Sequence, residues 1–278
     1  MSSSTSAPTP AAAVAANLPA PLSPDEFRAF KVREIQPISH NTALYRFELP
    51  HPEQTIGMPT TSFVLTKFTP AGSDKPVVRP YTPTNTDDAK GHFDLVVKTY
   101  PNGAMSSHIA SLKPGDTLEV KGPIVKYPLA ENQHKEIAMI AGGTGITPML
   151  QIINKVLRNP ADKTKLTLLF GNISEKDVLL KDHIDALVKQ HPGRLNVVYT
   201  IDKADNPAEW KGETGHINKD KIKKYIPAPT AENVKVFVCG PPGMLKAISG
   251  SKAPDFSQGE LDGLLKELGY TKDQVFKV

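Results

Sequence analysis

Cysteine is almost missing from this chain: 278 residues hold one, Cys239. A single thiol excludes an internal disulfide and any cysteine-cluster metal site. The eight histidines show no HExxH pair and no other paired-ligand spacing, so no metal centre is expected. No apolar run approaches the ~18 residues that a membrane-spanning helix needs. Basic residues are missing from the head; the first in the chain is Arg28. A secretory signal wants basic residues before its apolar core, and a mitochondrial transit peptide wants arginine; this head offers neither. Charge of one sign is scarce as well. The 33 Lys plus Arg stand against 29 Asp plus Glu, a net +4. That is too weak and dispersed for a nucleic-acid surface, but it is compatible with an acidic protein partner. No internal repeat is visible.

What the chain does have is length enough for two domains and a change of rhythm along it. Residues 1–26, "MSSSTSAPTPAAAVAANLPAPLSPDE", are rich in Ala, Ser and Pro and cannot build a core. They are expected to form a flexible tail. Residues 27–124 carry short alternating runs: "FRAFKVREIQPIS", "TALYRFELP", "TSFVLTKF", "PVVRPYT", "HFDLVVKTY" and "DTLEVKGP". Pro, Gly and Asp/Asn clusters separate them, which predicts a closed antiparallel β-barrel. "GAMSSHIASL" interrupts them with helical spacing. Residues 125–135 read as a linker. From 136 to 278 strands alternate with helices: "IAMIAGG", "TPMLQIINKVLRN", "KLTLLFGN", "EKDVLLKDHIDALVKQHP", "LNVVYTID", "KDKIKKYIP", "VKVFVCGPPGM" and "QGELDGLLKELGY". That alternation predicts βαβ units and a parallel-sheet α/β domain.

Three motifs carry chemistry. "RPYT" places Arg79, Pro80, Tyr81 and Thr82 at a strand end stiffened by prolines. A guanidinium, a phenol ring and a hydroxyl in one place suit something flat and anionic. The tetrapeptide alone also reads as an edge strand running into a turn. "AGGTGITPM" follows a strand and opens a helix. Its glycines, Gly142, Gly143 and Gly145, let a backbone approach a ligand, and a helix N-terminus favours a diphosphate. Thr144 and Thr147 add hydroxyls. A tight strand-to-helix turn is the plain alternative. "VCGPPGM" also ends a strand, at the edge where open α/β sheets bind ligands. Cys239 there is either a small buried residue or a neighbour of the reacting atoms.

In this order, "RPYT", "GxxMS" (Gly103, Met105, Ser106), "GGTGITPM" and "CGPPGM" resemble the ferredoxin–NADP reductase superfamily. Within it, the chain resembles the NADH–cytochrome b5 reductase family from about Phe27 onward. "ELGYTKDQVFK" and "GPPGMLKAISG" look like the mitochondrial fungal-type branch. The resemblance implies an FAD-binding barrel of Greek-key type followed by an NADH-binding domain. It implies a hydride taken from NADH and electrons passed singly to cytochrome b5, in a mitochondrial or alternatively cytosolic monomer. FAD would be held by Arg79 and Pro80, with Tyr81 against the flavin ring and Thr82 near its hydride-accepting nitrogen. Val96, Val97, Lys98 and Tyr100 match the next flavin-contact strand, and Gly103, Met105 and Ser106 the diphosphate turn. Lys98 would also position the nicotinamide. His40, in "ISHNT", matches a histidine neighbouring the motif threonine; otherwise it is a surface residue after a strand. NADH would meet Gly143, Thr144, Gly145 and Thr147 with its diphosphate, and Cys239, Gly240, Pro241 and Met244 with its nicotinamide end. Asp202, closing "VVYTID", would accept the ribose hydroxyls and repel a 2′-phosphate; otherwise it starts a turn. Lys121, Lys126 and Lys135 are candidates to meet an acidic haem protein. Three departures stand out, one of them the barrel strand "TSFVLTKF", which differs from the pattern of animal relatives. Val278 stands where many relatives have an aromatic residue, with Phe276 the nearest ring, and His216 replaces an aromatic. A superfamily reductase serving another acceptor, or a non-enzymatic dinucleotide-binding module, are the alternative readings.

Overall fold

A computed structural model describes residues 18–278, so most of the expected tail lies outside the described residues. The chain divides into two compact units. One holds the residues up to Gln36 and Ala43–Val125, the other Pro37–Thr42 and Lys126–Val278.

The first unit is built on β1 (Arg28–Ser39), β2 (Thr42–Glu48), β3 (Ser62–Phe68), β4 (Val77–Tyr81), β5 (His92–Lys98) and β6 (Thr117–Val125). They lie in the order β4-β3-β6-β1-β2-β5. Alternation sets the inner face: Val64 and Thr66 on β3, and Leu118 and Val120 on β6, are buried, while their neighbours are less so. Three aromatic rings fill the centre. Phe93 stands edge-on to Phe30 at 5.2 Å and stacks on Phe47 at 5.1 Å. Full burial of such a side chain stabilises by roughly 1.5–3 kcal/mol. The buried carboxylate of Asp94 on β5 is held by a fork from Arg46, with Nε–Oδ1 and Nη2–Oδ2 both at 2.9 Å.

The barrel is not closed. The sheet ends at β4 and β5, and helix α1 (Ala104–Ser111) lies against both edge strands. The physical reason is local. β4 is five residues long and carries Pro80, which has no N–H to donate to a further strand. α1 fills the gap with Met105 and Ile109, both buried in the core. The fold is therefore barrel-like, with a helix where a closing strand pair would be.

The second unit holds β7 (Glu136–Gly142), β8 (Lys165–Asn172), β9 (Leu195–Ile201), β10 (Glu213–Thr214), β11 (Val234–Cys239) and β12 (Val275–Lys277). Their order is β10-β9-β8-β7-β11-β12, and neighbours run parallel. Its helices are α2 (Ile146–Arg158), α3 (Lys181–Gln190), α4 (Lys219–Tyr225), α5 (Pro242–Ser249) and α6 (Gly263–Glu267). β7 is central, and Ile137–Gly142 are buried throughout, as a doubly covered strand requires. From β7 the chain winds outward to β10, then returns to β11 on its other side. The order therefore reverses between β7 and β11, and ligands bind such sheets at the carboxyl ends of the strands flanking that point.

Some elements differ from the sequence reading. The helix expected from Glu175 begins at Lys181, because Leu180 takes φ +57 and a single 3₁₀ turn, Glu175–Asp177, precedes it. The expected late helix shortens to Gly263–Glu267, since Gly259 and Gly263 sit at φ +61 and +69. α5 and β12 were not expected. "GPPGM" reads as a turn, yet Pro242 is the first residue of a helix, where its missing N–H costs nothing.

Candidate functional site

In the first unit the two sheet edges and α1 bring three motif segments together. β4 pairs with β3 so that Arg79 faces Thr66 and Tyr81 faces Val64. Thr66 Oγ1 donates to the Arg79 carbonyl at 3.1 Å. The Arg79 side chain is exposed. Its Nη1 donates to the Val78 carbonyl at 2.7 Å, and among the described residues no carboxylate pairs with it. Tyr81 packs against the core, and burial pushes its hydroxyl up to about 12, with Tyr100 nearby adding to the shift. Thr82 is half-buried just past the strand. Across the gap, Val96 and Val97 on β5 are 3% and 1% exposed; Val97 belongs to the core cluster, while Val96 points to the opposite face of the strand. Lys98 is half-buried and Tyr100 is 44% exposed.

The turn into α1 is tightly drawn. Ser106 Oγ donates to the Gly103 carbonyl at 3.0 Å and accepts from the Tyr100 N–H at 3.2 Å. A Cβ on Gly103 would lie 2.3 Å from that oxygen, so this position needs glycine. The Ser106 hydroxyl is thus engaged inside the turn, and Met105 is 2% exposed in the core. What this turn presents outward is backbone. No side chain caps α1, and no acidic residue occupies its first turn. An exposed arginine without a carboxylate and an uncapped helix start are a donor set that fits a diphosphate group.

In the second unit "GGTG" and "CGPPG" meet at the ends of β7 and β11. The glycines there divide into two kinds. A Cβ on Gly145 would lie 2.2 Å from the Cys239 carbonyl oxygen, and one on Gly142 would lie 2.4 Å from Met244 Sδ. These two let the loops touch. Gly143 instead takes φ +51 and faces open space, with nothing within 4 Å of its Cβ position. Of the three, Gly143 alone has open space at its Cβ position, while Gly142 and Gly145 are pressed by the β11 end and Met244. Thr144 is half-buried beside it. Thr147 Oγ1 donates to the Thr144 carbonyl at 3.1 Å, which engages its hydroxyl within α2. α2 has thirteen residues, no acidic residue in its first turn and no capping side chain. That arrangement also fits a diphosphate.

Cys239 is half-buried, and the enclosure around its sulfur pushes the thiol up to about 11, so it is neutral near pH 7. Gly240 packs on Met244, while Pro241 is exposed at the start of α5. Asp202 lies just past β9, its N–H donating to the Asn172 and Ile173 carbonyls at 3.1 and 3.2 Å. Its carboxylate is 42% exposed, with Oδ1 3.3 Å from His216 Nε2. His40 is exposed in the turn between β1 and β2. Phe276 is no outward ring: it packs on Tyr127 at 5.0 Å and Phe237 at 5.8 Å. Lys135 pairs with Glu232, and Lys121 lies 5.7 Å from the Phe27 ring.

Sequence reading missed two residues here. Lys221 is buried, and its ammonium contacts the turn that holds His216. Asn172 is buried at the end of β8 with neither amide atom hydrogen-bonded among the described residues. Neither carries a local signal, because "KDKIKKY" reads as solvated cations and "FGNIS" as a strand end.

A model of the oxidoreductase FAD-binding domain matches residues 29–128, and one of the oxidoreductase NAD-binding domain matches residues 139–250. NADH-cytochrome b5 reductase 2 of Chaetomium globosum is 51% identical over 249 residues, covering 90% of this chain and 71% of that protein. NADH-cytochrome b5 reductase 2 of Yarrowia lipolytica is 54% identical over 255 residues, covering 91% and 86%. Among solved structures, the cytochrome b5 reductase domain of Ulva prolifera nitrate reductase superposes with a TM-score of 0.80 at 34% identity. That match covers 93% of this chain and 99% of that one. An FAD-binding unit followed by an NAD-binding unit, with identity of this level across both, places the chain in the NADH–cytochrome b5 reductase family of FAD-dependent NADH oxidoreductases.

Proposed function

We propose that this chain oxidises NADH and delivers the electrons, one at a time, to cytochrome b5. The observation that carries this reading is the span of the likeness to the fungal NADH-cytochrome b5 reductases, which runs through both units. FAD, when bound, supplies two-electron acceptance and one-electron release; the protein supplies orientation and electrostatics. Arg79 and the α1 N-terminus hold the flavin diphosphate. Tyr81 lies along the ring, and Thr82 hydrogen-bonds beside its reactive edge. Lys98 helps to position the nicotinamide. The Val96–Val97 backbone and Tyr100 flank the flavin.

On the second unit, Gly143, Thr144 and the α2 N-terminus receive the NADH diphosphate. Cys239, Gly240, Pro241 and Met244 line the nicotinamide end, where the neutral thiol excludes water without competing chemistry. Asp202 accepts the adenosine ribose hydroxyls and repels a 2′-phosphate. We place the protein in the mitochondrion, as a monomer, on its resemblance to the fungal mitochondrial-type branch. No helix among the described residues is long and apolar enough to cross a membrane.

The test compares two acceptors. Ferricyanide needs no docked protein face, whereas cytochrome b5 does. Complementary charges chiefly speed encounter, and the screening length falls from ~10 Å at 0.1 M salt to ~3 Å at 1 M. kcat/KM for cytochrome b5 should fall as salt rises. Reduction of ferricyanide without reduction of cytochrome b5 at any salt would refute the named acceptor.

A further inference from the structure

Asn172 closes β8, the strand between β7 and β9, and its amide has no task in the functional reading. In the ladder Gly171 pairs with Gly142 at the end of β7, and Asn172 pairs with Ile201 at the end of β9. The Asn172 carbonyl accepts the Asp202 N–H at 3.1 Å. The residue is 8% exposed, yet neither Oδ1 nor Nδ2 has a hydrogen-bond partner among the described residues. Gln151, Glu175 and Arg194 each leave one buried atom unpartnered and are themselves only half-buried. Among the described residues, Asn172 alone leaves two.

The topology fixes the face on which this amide lies. Leu169 packs in one cluster with Ile222 of α4, Ile248 of α5 and Leu265 of α6. Strand alternation turns Asn172 to the other face, together with Leu168 and Phe170. On that face the Phe170 ring lies 6.3 Å from the Tyr199 ring, whose hydroxyl donates to Asp185 of α3 at 2.7 Å. β7, β8 and β9 follow one another across the sheet, and right-handed crossovers put α2 on the same face as α3. Asn172 therefore stands at the carboxyl edge of the sheet on the face where the uncapped α2 N-terminus opens.

We propose that the ribose–phosphate stretch in the ADP half of NADH completes the hydrogen bonds of the Asn172 amide, and that binding thereby relieves a group that destabilises the empty unit. The proposal rests on the reading that the α2 N-terminus receives the diphosphate and Asp202 the adenosine ribose. The ligand running between those two points carries phosphate oxygens that accept and ribose hydroxyls that donate, and a carboxamide has use for both. A buried amide without partners costs free energy that an apolar side chain in its place does not. Removing the amide should therefore strengthen the empty protein and weaken nucleotide binding. A side chain needed only for packing would weaken both when removed.

The test uses the FAD-loaded protein and ADP-ribose, which carries the ADP half without the nicotinamide. Calorimetry reads affinity. The fluorescence of Trp210, the chain's one tryptophan and a residue of this unit, reads thermal unfolding. Asn172→Val should unfold about 2–6 °C higher than the parent without nucleotide. Its Kd for ADP-ribose should rise about five- to a hundredfold. Asn172→Ala, too small to overpack, should show the same loss of affinity with a smaller gain in stability. Unchanged affinity in Asn172→Ala overturns the proposal. So does a lower unfolding temperature in both variants, which is the behaviour of an amide already paired in the empty protein. Failure of ADP-ribose to bind the parent refutes instead the placement of NADH on this edge.

Discussion

Gly145→Ala is the most incisive perturbation, because it adds one methyl group where the β7–α2 and β11–α5 loops touch. The backbone of Gly145 sits at φ −60, so alanine is conformationally welcome there and any cost is steric. The new Cβ would stand 2.2 Å from the Cys239 carbonyl oxygen, 2.6 Å from its carbon and 2.9 Å from the Gly240 nitrogen. All three are backbone atoms at the carboxyl end of β11, so no side chain can swing aside. The loops must part until the closest contact reaches at least 3.0 Å. Overpacking of this kind costs about 1–3 kcal/mol. For a chain of this size each kcal/mol lowers Tm by about 2–4 °C. The larger effect should fall on catalysis, since a displacement of ~1 Å at a positioned substrate can cost ~10²-fold in rate. Thermal unfolding and NADH–ferricyanide kinetics read the two effects separately. The flavin should stay bound, because its residues lie in the other unit. Gly143→Ala differs in kind: its Cβ meets nothing within 4 Å, and its cost is the backbone strain of φ +51, about 1–3 kcal/mol. An unchanged Tm together with unchanged kcat/KM for NADH in Gly145→Ala would refute the role assigned to this contact.

Three further outcomes are expected. Arg79→Ala should lose FAD during purification, since a charge-assisted diphosphate contact contributes ~1.5–3 kcal/mol; full flavin occupancy with normal turnover would show the guanidinium to be idle. Asp202→Ser should raise the NADPH/NADH ratio of kcat/KM and weaken NADH, and a constant ratio would make Asp202 a turn residue only. The Cys239 thiol is raised from an ordinary value near 9 to about 11, so its stabilising share is present below pH 9 and lost as pH climbs through 11. At pH 8 its thiolate fraction should be about a hundredfold below that of an ordinary thiol, and alkylation should slow at least as much. Ready alkylation of the folded protein at pH 8 would contradict this enclosure of the sulfur.

The strands were legible because their signal is local: alternation at Val64 and Thr66, or the unbroken apolar run of β7, is written in neighbouring residues. The chemistry-bearing motifs were legible for the same reason, each being one contiguous strand end. What escaped depends on contacts across the chain. Nothing near Gly142 and Gly145 in sequence tells that Cys239 and Met244 press on them, so three glycines read as one ligand loop. The open seam has a local cause in the short, Pro80-bearing β4, but that α1 packs into it is a contact alternation cannot foresee. Lys221 was hidden because burial of a lysine depends on three carbonyls supplied by the preceding turn. Pro242 was read as a turn residue because a proline at a first helical position looks the same in sequence as one that ends a strand.

The most direct test of the account is an anaerobic titration of the purified protein, followed by its visible spectrum. The protein should carry flavin absorbance, lose it on addition of one equivalent of NADH, and regain it as oxidised cytochrome b5 is added. Electron balance requires two cytochromes reduced for each NADH consumed, because NADH gives up two electrons and each haem iron takes one. A flavin that NADH leaves oxidised would contradict the NADH–FAD assignment. A flavin that NADH bleaches but cytochrome b5 cannot restore, while ferricyanide can, would contradict the named acceptor.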